Sequence, residues 1–438
     1  MHWNRWYSLR SYVKSSLWIT PFVALLIYLA AIRLVHAVDA WIIWDLLWPW
    51  GLSATQMLLQ TIVTLTLTFV VFTFGSLLVA IQIAGGQLTP RIIATTLLRD
   101  NAIRFTVGLF IFTLLFATGA LARLDTMDLH VASGIAGLLG FGSLAAFLYL
   151  IDYAARLLRP VSIVWRVGEE GRAVIESVYP DPAEELGVSA RPRGKFPSPD
   201  RIVAHHGKPG IVLAVNLKAL VALAQKADAI IEFLPRVGDF VGTGEPLFRL
   251  HGGAGSIDER RLRGAVALGP ERTIEQDSTF AFRIIVDIAI KALSKAINDP
   301  TTAVLSIDQL QRLLRIVGNR HLQDEDILDG SGQLRVIFRT PNWEDFVQLT
   351  FSEIRLYGAE NFQIARRLRA MVENLARTLP EHRRPALRNE LDLLDRALEK
   401  LYTLPEDLAL ARVPDTQGLG GASDREAAMA RLDSPIRR

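Results

Sequence analysis

Residues 58–84 read LLQTIVTLTLTFVVFTFGSLLVAIQIA, 27 positions without a charged side chain. About 20 consecutive apolar residues suffice to cross the hydrocarbon of a bilayer, so this stretch reads as a membrane span. Lipid offers the backbone no hydrogen-bond partners, which makes the span a helix. Working outward, 17–38, 102–122 and 131–151 have the same length and character. Four spans are therefore expected before residue 153. The first 152 residues hold only eight Lys and Arg and six Asp and Glu, leaving 40 basic and 39 acidic side chains for the remainder.

The loops differ in charge. Arg5, Arg10 and Lys14 precede the first span, Arg91 and Arg99 separate the second and third, and Arg156, Arg159 and Arg166 follow the fourth. Asp39 and Asp45, then Arg123 with Asp125 and Asp128, occupy the other two loops. The positive-inside rule puts both termini in the cytoplasm. Trp3, Trp6, Tyr7 and Trp18 at one end, and Trp41, Trp44, Trp48 and Trp50 at the other, read as interfacial anchors. The first apolar run lacks a small-residue cleavage site and is expected to be a retained anchor. Arg33 lies near its outer end and is expected to snorkel toward Asp39. Gly134, Gly137, Gly140 and Gly142 with Ser133 and Ser143 favour close packing of the fourth span.

A polar stripe runs along span two. Thr61, Thr68, Gly75 and Gln82 recur every seventh residue, close to two helical turns, and so share one side. Thr64 joins them, Gln56 and Gln60 extend the stripe at its outer end, and Gln87 follows Gln82. Thr66 and Thr73 fall on the opposite face. Small and polar residues pack helices together, so the stripe reads either as a helix contact or as a wet path ending where Gly85, Gly86 and Pro90 break the helix.

The fold class expected is an α-helical polytopic membrane domain followed by an α+β cytoplasmic domain with a small β-module and a helical C-terminal part. The divisions are 1–156 for the membrane domain, 157–200 for a helix and proline-rich linker, 201–255 for the β-module, 256–404 for the helical part and 405–438 for a disordered tail. Strands are expected at 202–204, 211–215 and 229–234, and a helix at 217–226. The run VGDFVGTGEPL at 237–247 has the glycine corners of biotinyl and lipoyl carrier domains. An attachment lysine is missing between Lys226 and Lys291, so no covalent cofactor is expected. Helices follow at 278–296, 301–317, 343–357, 362–379 and 386–402, with one isolated strand at 334–338.

Three segments carry a family resemblance: QIAGGQLTPR at 82–91, GPERTIEQD at 269–277 and AINDPTTA at 296–303. With the four-span beginning they resemble the bacterial membrane proteins grouped as domain of unknown function 2254. Lys295-Ala296 departs from that pattern, where a proline and a small residue are more usual. The resemblance implies an inner-membrane protein and brings no established activity. It marks Arg272, Gln276, Asp277, Asn298, Asp299 and Pro300 as candidate cytoplasmic residues. Asp277 and Asp299 are expected to cap helices, with Pro300 at the first helical position. Arg283, Asp287 and Lys291 are expected to form an ion-paired helix face.

Several functions are excluded or unsupported. The chain has no cysteine, which removes disulfides and thiol chemistry. A near-neutral soluble part offers no footprint for nucleic acid. His205, His206 and His251 lack ligand spacing for a metal, and no phosphate loop, nucleophile elbow or zinc helix occurs. No enzyme activity is expected. Two readings remain: a channel- or transporter-like homo-oligomer gated by its cytoplasmic domain, or a membrane-anchored scaffold or sensor for cytoplasmic protein partners. The ion or solute carried, and any protein partner, are not specified by these residues.

Overall fold

A computed structural model describes residues 3–4, 6–7, 19–39, 51–87, 100–124, 130–157, 159–183, 198–322 and 326–421. The chain divides into a helical unit and an α/β unit, and the described residues 3–4 and 6–7 belong to the second of these.

The helical unit contains α1 (Ile19–Asp39), α2 (Leu52–Gln87), α3 (Asn101–Leu121) and α4 (His130–Leu157). Among the described residues three helices are long and apolar enough to cross a membrane, Leu52–Ile83, Asn101–Leu121 and Val131–Leu157. The fourth expected span is the 21-residue α1, in which Phe22–Ala31 is the apolar stretch. The side chain of Arg33 lies outside the described residues. Asp100 begins α3 by accepting from the N–H groups of Ala102 and Ile103, and its other oxygen accepts from the Tyr153 hydroxyl of α4.

Glycines set the spacing of these helices. A Cβ on Gly108 would meet Thr20 of α1 at 2.8 Å, and one on Gly140 would meet Ile62 of α2 at 2.9 Å. Thr113 and Ser143 share a buried hydroxyl–hydroxyl bond of 3.0 Å between α3 and α4. Phe147 stacks on Phe69, and Phe110 meets both rings at a tilt, where α2, α3 and α4 meet. Gly142 faces open space, so the glycine run of α4 does not pack along its whole length.

Helix α5 (Pro160–Val178) takes up the first part of the 157–200 segment expected as a helix and linker. The α/β unit then sets out β1 (Arg201–Ala204), β2 (Gly210–Val215), α6 (Leu217–Ala227), β3 (Ile230–Phe233), β4 (Phe240–Val241), β5 (Pro246–His251), α7 (Glu259–Gly264) and β6 (Val266–Gly269). It continues with α8 (Ser278–Ala292), α9 (Pro300–Gly318), β7 (Asp326–Leu328), β8 (Leu334–Phe338), α10 (Trp343–Gly358), α11 (Phe362–Thr378), α12 (Arg384–Leu401) and α13 (Pro405–Ala411). One sheet has the order β1-β5-β3-β8-β7 and the other β4-β2-β6. Thus the sheets take β6, β7 and β8 from beyond residue 255.

The 334–338 strand is not isolated, as its sequence surroundings suggested. It pairs in parallel with β3, Ile231 opposite Val336, and antiparallel with β7. That pairing spans about a hundred residues of chain and buries Ile231, Phe233 and Val336 together with Phe248 and Leu250. Hydrophobic burial of such side chains is worth about 1.5–3 kcal/mol each before entropy is counted. In the helical part α8 packs on α9 and α10, α9 on α11, and α11 on α12. Trp343 sits fully buried there and its indole N–H donates to the carbonyl of Arg383 at 2.9 Å.

Two expectations for the chain ends change. Trp3 and Tyr7 stack at 5.4 Å, and Tyr7 is buried against Leu213, Ala214 and Ala267 of the α/β unit. These two rings therefore pack with side chains of that unit. At the other end, α13 opens the stretch expected as a tail, and residues 413–421 lie on α11. Arg366 donates to the carbonyls of Val413, Gly420 and Gly421, and Asp415 accepts from the N–H groups of Gln417, Gly418 and Gly420. Residues 422–438 lie outside the described residues.

Candidate functional site

Helix α2 has two unlike faces. Thr55, Leu59, Ile62, Thr66, Phe69, Thr73, Leu77 and Ala80 alternate by three and four residues and are buried against the neighbouring helices. Gln56, Gln60, Thr61, Thr64, Thr68, Gly75 and Gln82 are all exposed. The stripe therefore does not pack on another described helix of its own chain. The Thr61, Thr64 and Thr68 hydroxyls instead donate to the carbonyls of Met57, Gln60 and Thr64, at 2.8, 2.9 and 2.8 Å. A helix interior is the default partner for a threonine hydroxyl that finds nothing else. The helix runs through Gly85 and Gly86 to Gln87 without breaking, since its hydrogen-bond ladder tolerates glycine at a modest entropic cost. The side chain of Gln87 and residues 88–99, with Pro90, lie outside the described residues.

The motif at 269–277 forms a junction. It carries the chain from β6 into α8, which Asp277 caps by accepting from the N–H groups of Thr279 and Phe280, both at 3.1 Å. The Gln276 side chain accepts from the Val215 N–H at 3.0 Å and so ties the end of β2 to this loop. Arg272 lies 3.2 Å from the buried Asp277 carboxylate, with its guanidinium 5.9 Å from the Phe280 ring centre. Burial pushes the Asp277 carboxyl up from its ordinary range, and the Arg272 charge opposes that shift. Gly238 stands over the pair with φ +94°, where a Cβ would collide with both Arg272 and Asp277. Tyr179 packs edge-on against Phe346 nearby, and burial raises its phenol to about 12.

The motif at 296–303 is a stop and restart. Asn298 takes the left-handed conformation, φ +48°, and its N–H donates to the Ser294 carbonyl at 2.8 Å. Asparagine tolerates that region better than most side chains do. Asp299 then caps α9 through the Thr302 N–H at 3.1 Å, with Pro300 at the first helical position. This turn ends α8 at Ala292, four residues short of the expected end. Both motifs therefore have capping work in the structure.

The charged face of α8 is wider than its i, i+4 spacing indicated. Arg283 donates to Asp287 at 2.7 Å and reaches across to Glu353 of α10 at 2.8 Å. Glu353 is 70 residues from Arg283 in sequence, and no local pattern marks it. His205 bonds the Lys208 carbonyl, and His251 lies 3.5 Å from Glu232. Among the described residues no group of three His, Asp or Glu gathers around a common point. The turn between β4 and β5, which belong to different sheets, has Gly244 at φ +88°, with the Gly242 N–H donating to Glu245.

Comparison with known proteins follows the same segments. The signature of the family described as "Predicted membrane protein (DUF2254)" matches residues 14–374, which takes in the helical unit, both sheets and all three motifs. Uncharacterized proteins of Mycobacterium bovis and Mycobacterium tuberculosis are each 24% identical over 427 residues, covering 93% of this chain and 81% of theirs. No solved structure matches. Apolar helices of spanning length, the paired-motif junction and the match over most of its length make the chain a member of the DUF2254 family of membrane proteins.

Proposed function

We propose that this protein works without catalysis, as a homo-oligomeric channel- or transporter-like assembly of the inner membrane. In this reading copies meet along the polar face of α2, and the α/β unit gates the path from the cytoplasm. The observation that carries it is the orientation of α2. Seven polar or small stripe residues are turned away from the described helices of their own unit, and this reading places another copy against them. Side chains such as Gln56, Gln60 and Gln82 keep amide groups that hydrocarbon leaves unbonded, at a cost of several kcal/mol in lipid.

Parity supports four crossings. Tyr7 is buried in the α/β unit, and the chain re-enters that unit at Val164. A path that leaves and returns to one side crosses an even number of times. With three long apolar helices, this reading takes α1 as the fourth crossing and both termini on one side of the membrane. The bias of the loop charges supports taking that side as the cytoplasm.

The scaffold reading has one observation in its favour. The hydroxyls of Thr61, Thr64 and Thr68 are already satisfied inside α2, which lowers the cost of turning them to lipid. Cysteines decide between the two, because the natural chain has none. Thr61→Cys, Thr68→Cys, Gly75→Cys and Gln82→Cys are expected to react with a water-soluble thiol reagent in the membrane and to cross-link between copies. Four unreactive, uncross-linked positions would leave the spans as an anchor.

A further inference from the structure

Helix α5 begins at Pro160, with two residues between it and the end of the apolar helix α4 at Leu157. Its two faces are unlike. Ile163, Val164, Val167 and Ile175 are buried. A Cβ on Gly171 would lie 2.6 Å from Ala281 of α8, so this face is closely packed and fixes the rotation of the helix. The other face changes character along its length. Val161 and Trp165, one turn apart, are 52% and 51% exposed. Glu169, Arg172 and Glu176 come next on that side, and Arg172 pairs with both acids, at 3.1 and 3.0 Å. The outward face is thus apolar only in the two turns nearest the membrane span and charged beyond them.

That order suits a lipid surface. Tryptophan joins an apolar body to an N–H that needs a polar partner, the combination that gathers it at membrane–water interfaces. Arg312 of α9 lies over the Trp165 ring, 4.6 Å from its centre, and is itself held by Glu169. Arg159, exposed just before the helix, is long enough to reach a lipid phosphate. Val161 to Trp165 covers about 6 Å of helix axis at 1.5 Å per residue. A headgroup layer is about 5–8 Å thick, half the difference between a bilayer of about 40–45 Å and its hydrocarbon core of about 30 Å. A stable protein interface uses about 20–30 residues a side, far more than these two turns offer, whereas a single tryptophan can anchor at a bilayer surface.

We propose that the first two turns of α5 lie in the headgroup layer of the bilayer, with Val161 and Trp165 against the acyl-chain ends nearest the headgroups, and that the helix enters water at Glu169. The partner is the lipid surface itself, and the proposal is independent of any path along α2. The cysteine-free chain lets the depth of single positions be read. Val161→Cys, Trp165→Cys, and the exposed positions further along as Ala173→Cys and Ser177→Cys, each carry a nitroxide on the full chain in phosphatidylcholine–phosphatidylglycerol nanodiscs. At 161 and 165 collisions with oxygen, which concentrates in lipid, are expected to exceed those with a water-soluble nickel chelate. At 173 and 177 the order is expected to reverse. A second measurement needs no label: the emission of the parent minus that of Trp165→Phe is expected to be lost when the lipid is brominated near the glycerol end of its acyl chains. Equal nickel access at all four positions, or an unquenched difference, would overturn the proposal. Shielding of 161 and 165 from both reagents, or spin–spin broadening between copies, would assign this face to protein and overturn it equally. Trp165→Phe keeps an aromatic ring in place, so its reading stands even where a labelled variant fails to fold.

Discussion

Gly238 and Gly244 offer a matched pair for testing how the junction at Arg272 and Asp277 is held. Both have positive φ, +94° and +88°, and both lie in the glycine-cornered run between β3 and β5. Alanine in such a conformation costs roughly 1–2 kcal/mol from the Cβ clash with its own backbone. At Gly244 nothing else lies within 4 Å, so Gly244→Ala should cost about that and no more. At Gly238 the new Cβ also meets Arg272 and the buried Asp277 carboxylate. Arg272 is about a third exposed and can swing outward, which leaves Asp277 buried without its cation. Removing one partner from a buried pair costs about 3–5 kcal/mol, and the exposure of Arg272 argues for the lower end, about 3. The total for Gly238→Ala is then about 4–5 kcal/mol. Proteolysis of the purified full chain in increasing urea, following cleavage inside the α/β unit, measures both variants against the parent. The gap of about 3 kcal/mol between them is the quantity at issue. Equal losses would show that the pair beneath Gly238 contributes nothing beyond backbone strain.

Other outcomes follow from the same geometry. Asp299→Ala should cost the α/β unit about 1 kcal/mol through loss of the α9 cap, and the same urea series checks it. Activity lost at unchanged stability would instead give Asp299 a functional role. Asp329 accepts from Ser331, whose hydroxyl and N–H both reach it, and from Arg335 at 2.7 Å, which holds its carboxyl well below the usual carboxylate range. A depressed folded value means that this contribution is present above about pH 4 and is lost as pH falls, so Asp329→Asn should flatten the acid limb of unfolding. A phosphatase reporter fused after Arg166 should be inactive, and one placed at Asp125 active, if the loop charges set the topology. Intact-mass measurement should return the unmodified chain, and an added lipoyl or biotinyl group would contradict the reading of the 237–247 run.

How much was legible beforehand depended on distance along the chain. The spans were readable because lipid imposes length and apolarity directly on consecutive residues. Asp277, Asp299 and Pro300 were readable because a cap is settled within four residues of itself. The stripe on α2 was readable as a periodicity, but a period has no direction. Only the packing of Phe69, Leu77 and Ala80 on α3 and α4 turned Thr61, Thr64 and Thr68 outward. The same packing buried Thr73, which the sequence had placed opposite the stripe.

Sequence alone determined the family, the membrane character and the ends of most helices, all of which rest on local composition or short-range hydrogen bonds. Tertiary structure decided what pairs across long loops: β8 beside β3, Glu353 beside Arg283, and Gly238 over Asp277. It also decided that Trp3 and Tyr7 join the α/β core and that residues 413–421 close over Arg366. The physical reason is that hydrophobic burial and ion pairing carry no sequence offset of their own. Their partners are selected when the chain closes upon itself, after local rules have already fixed each helix and strand.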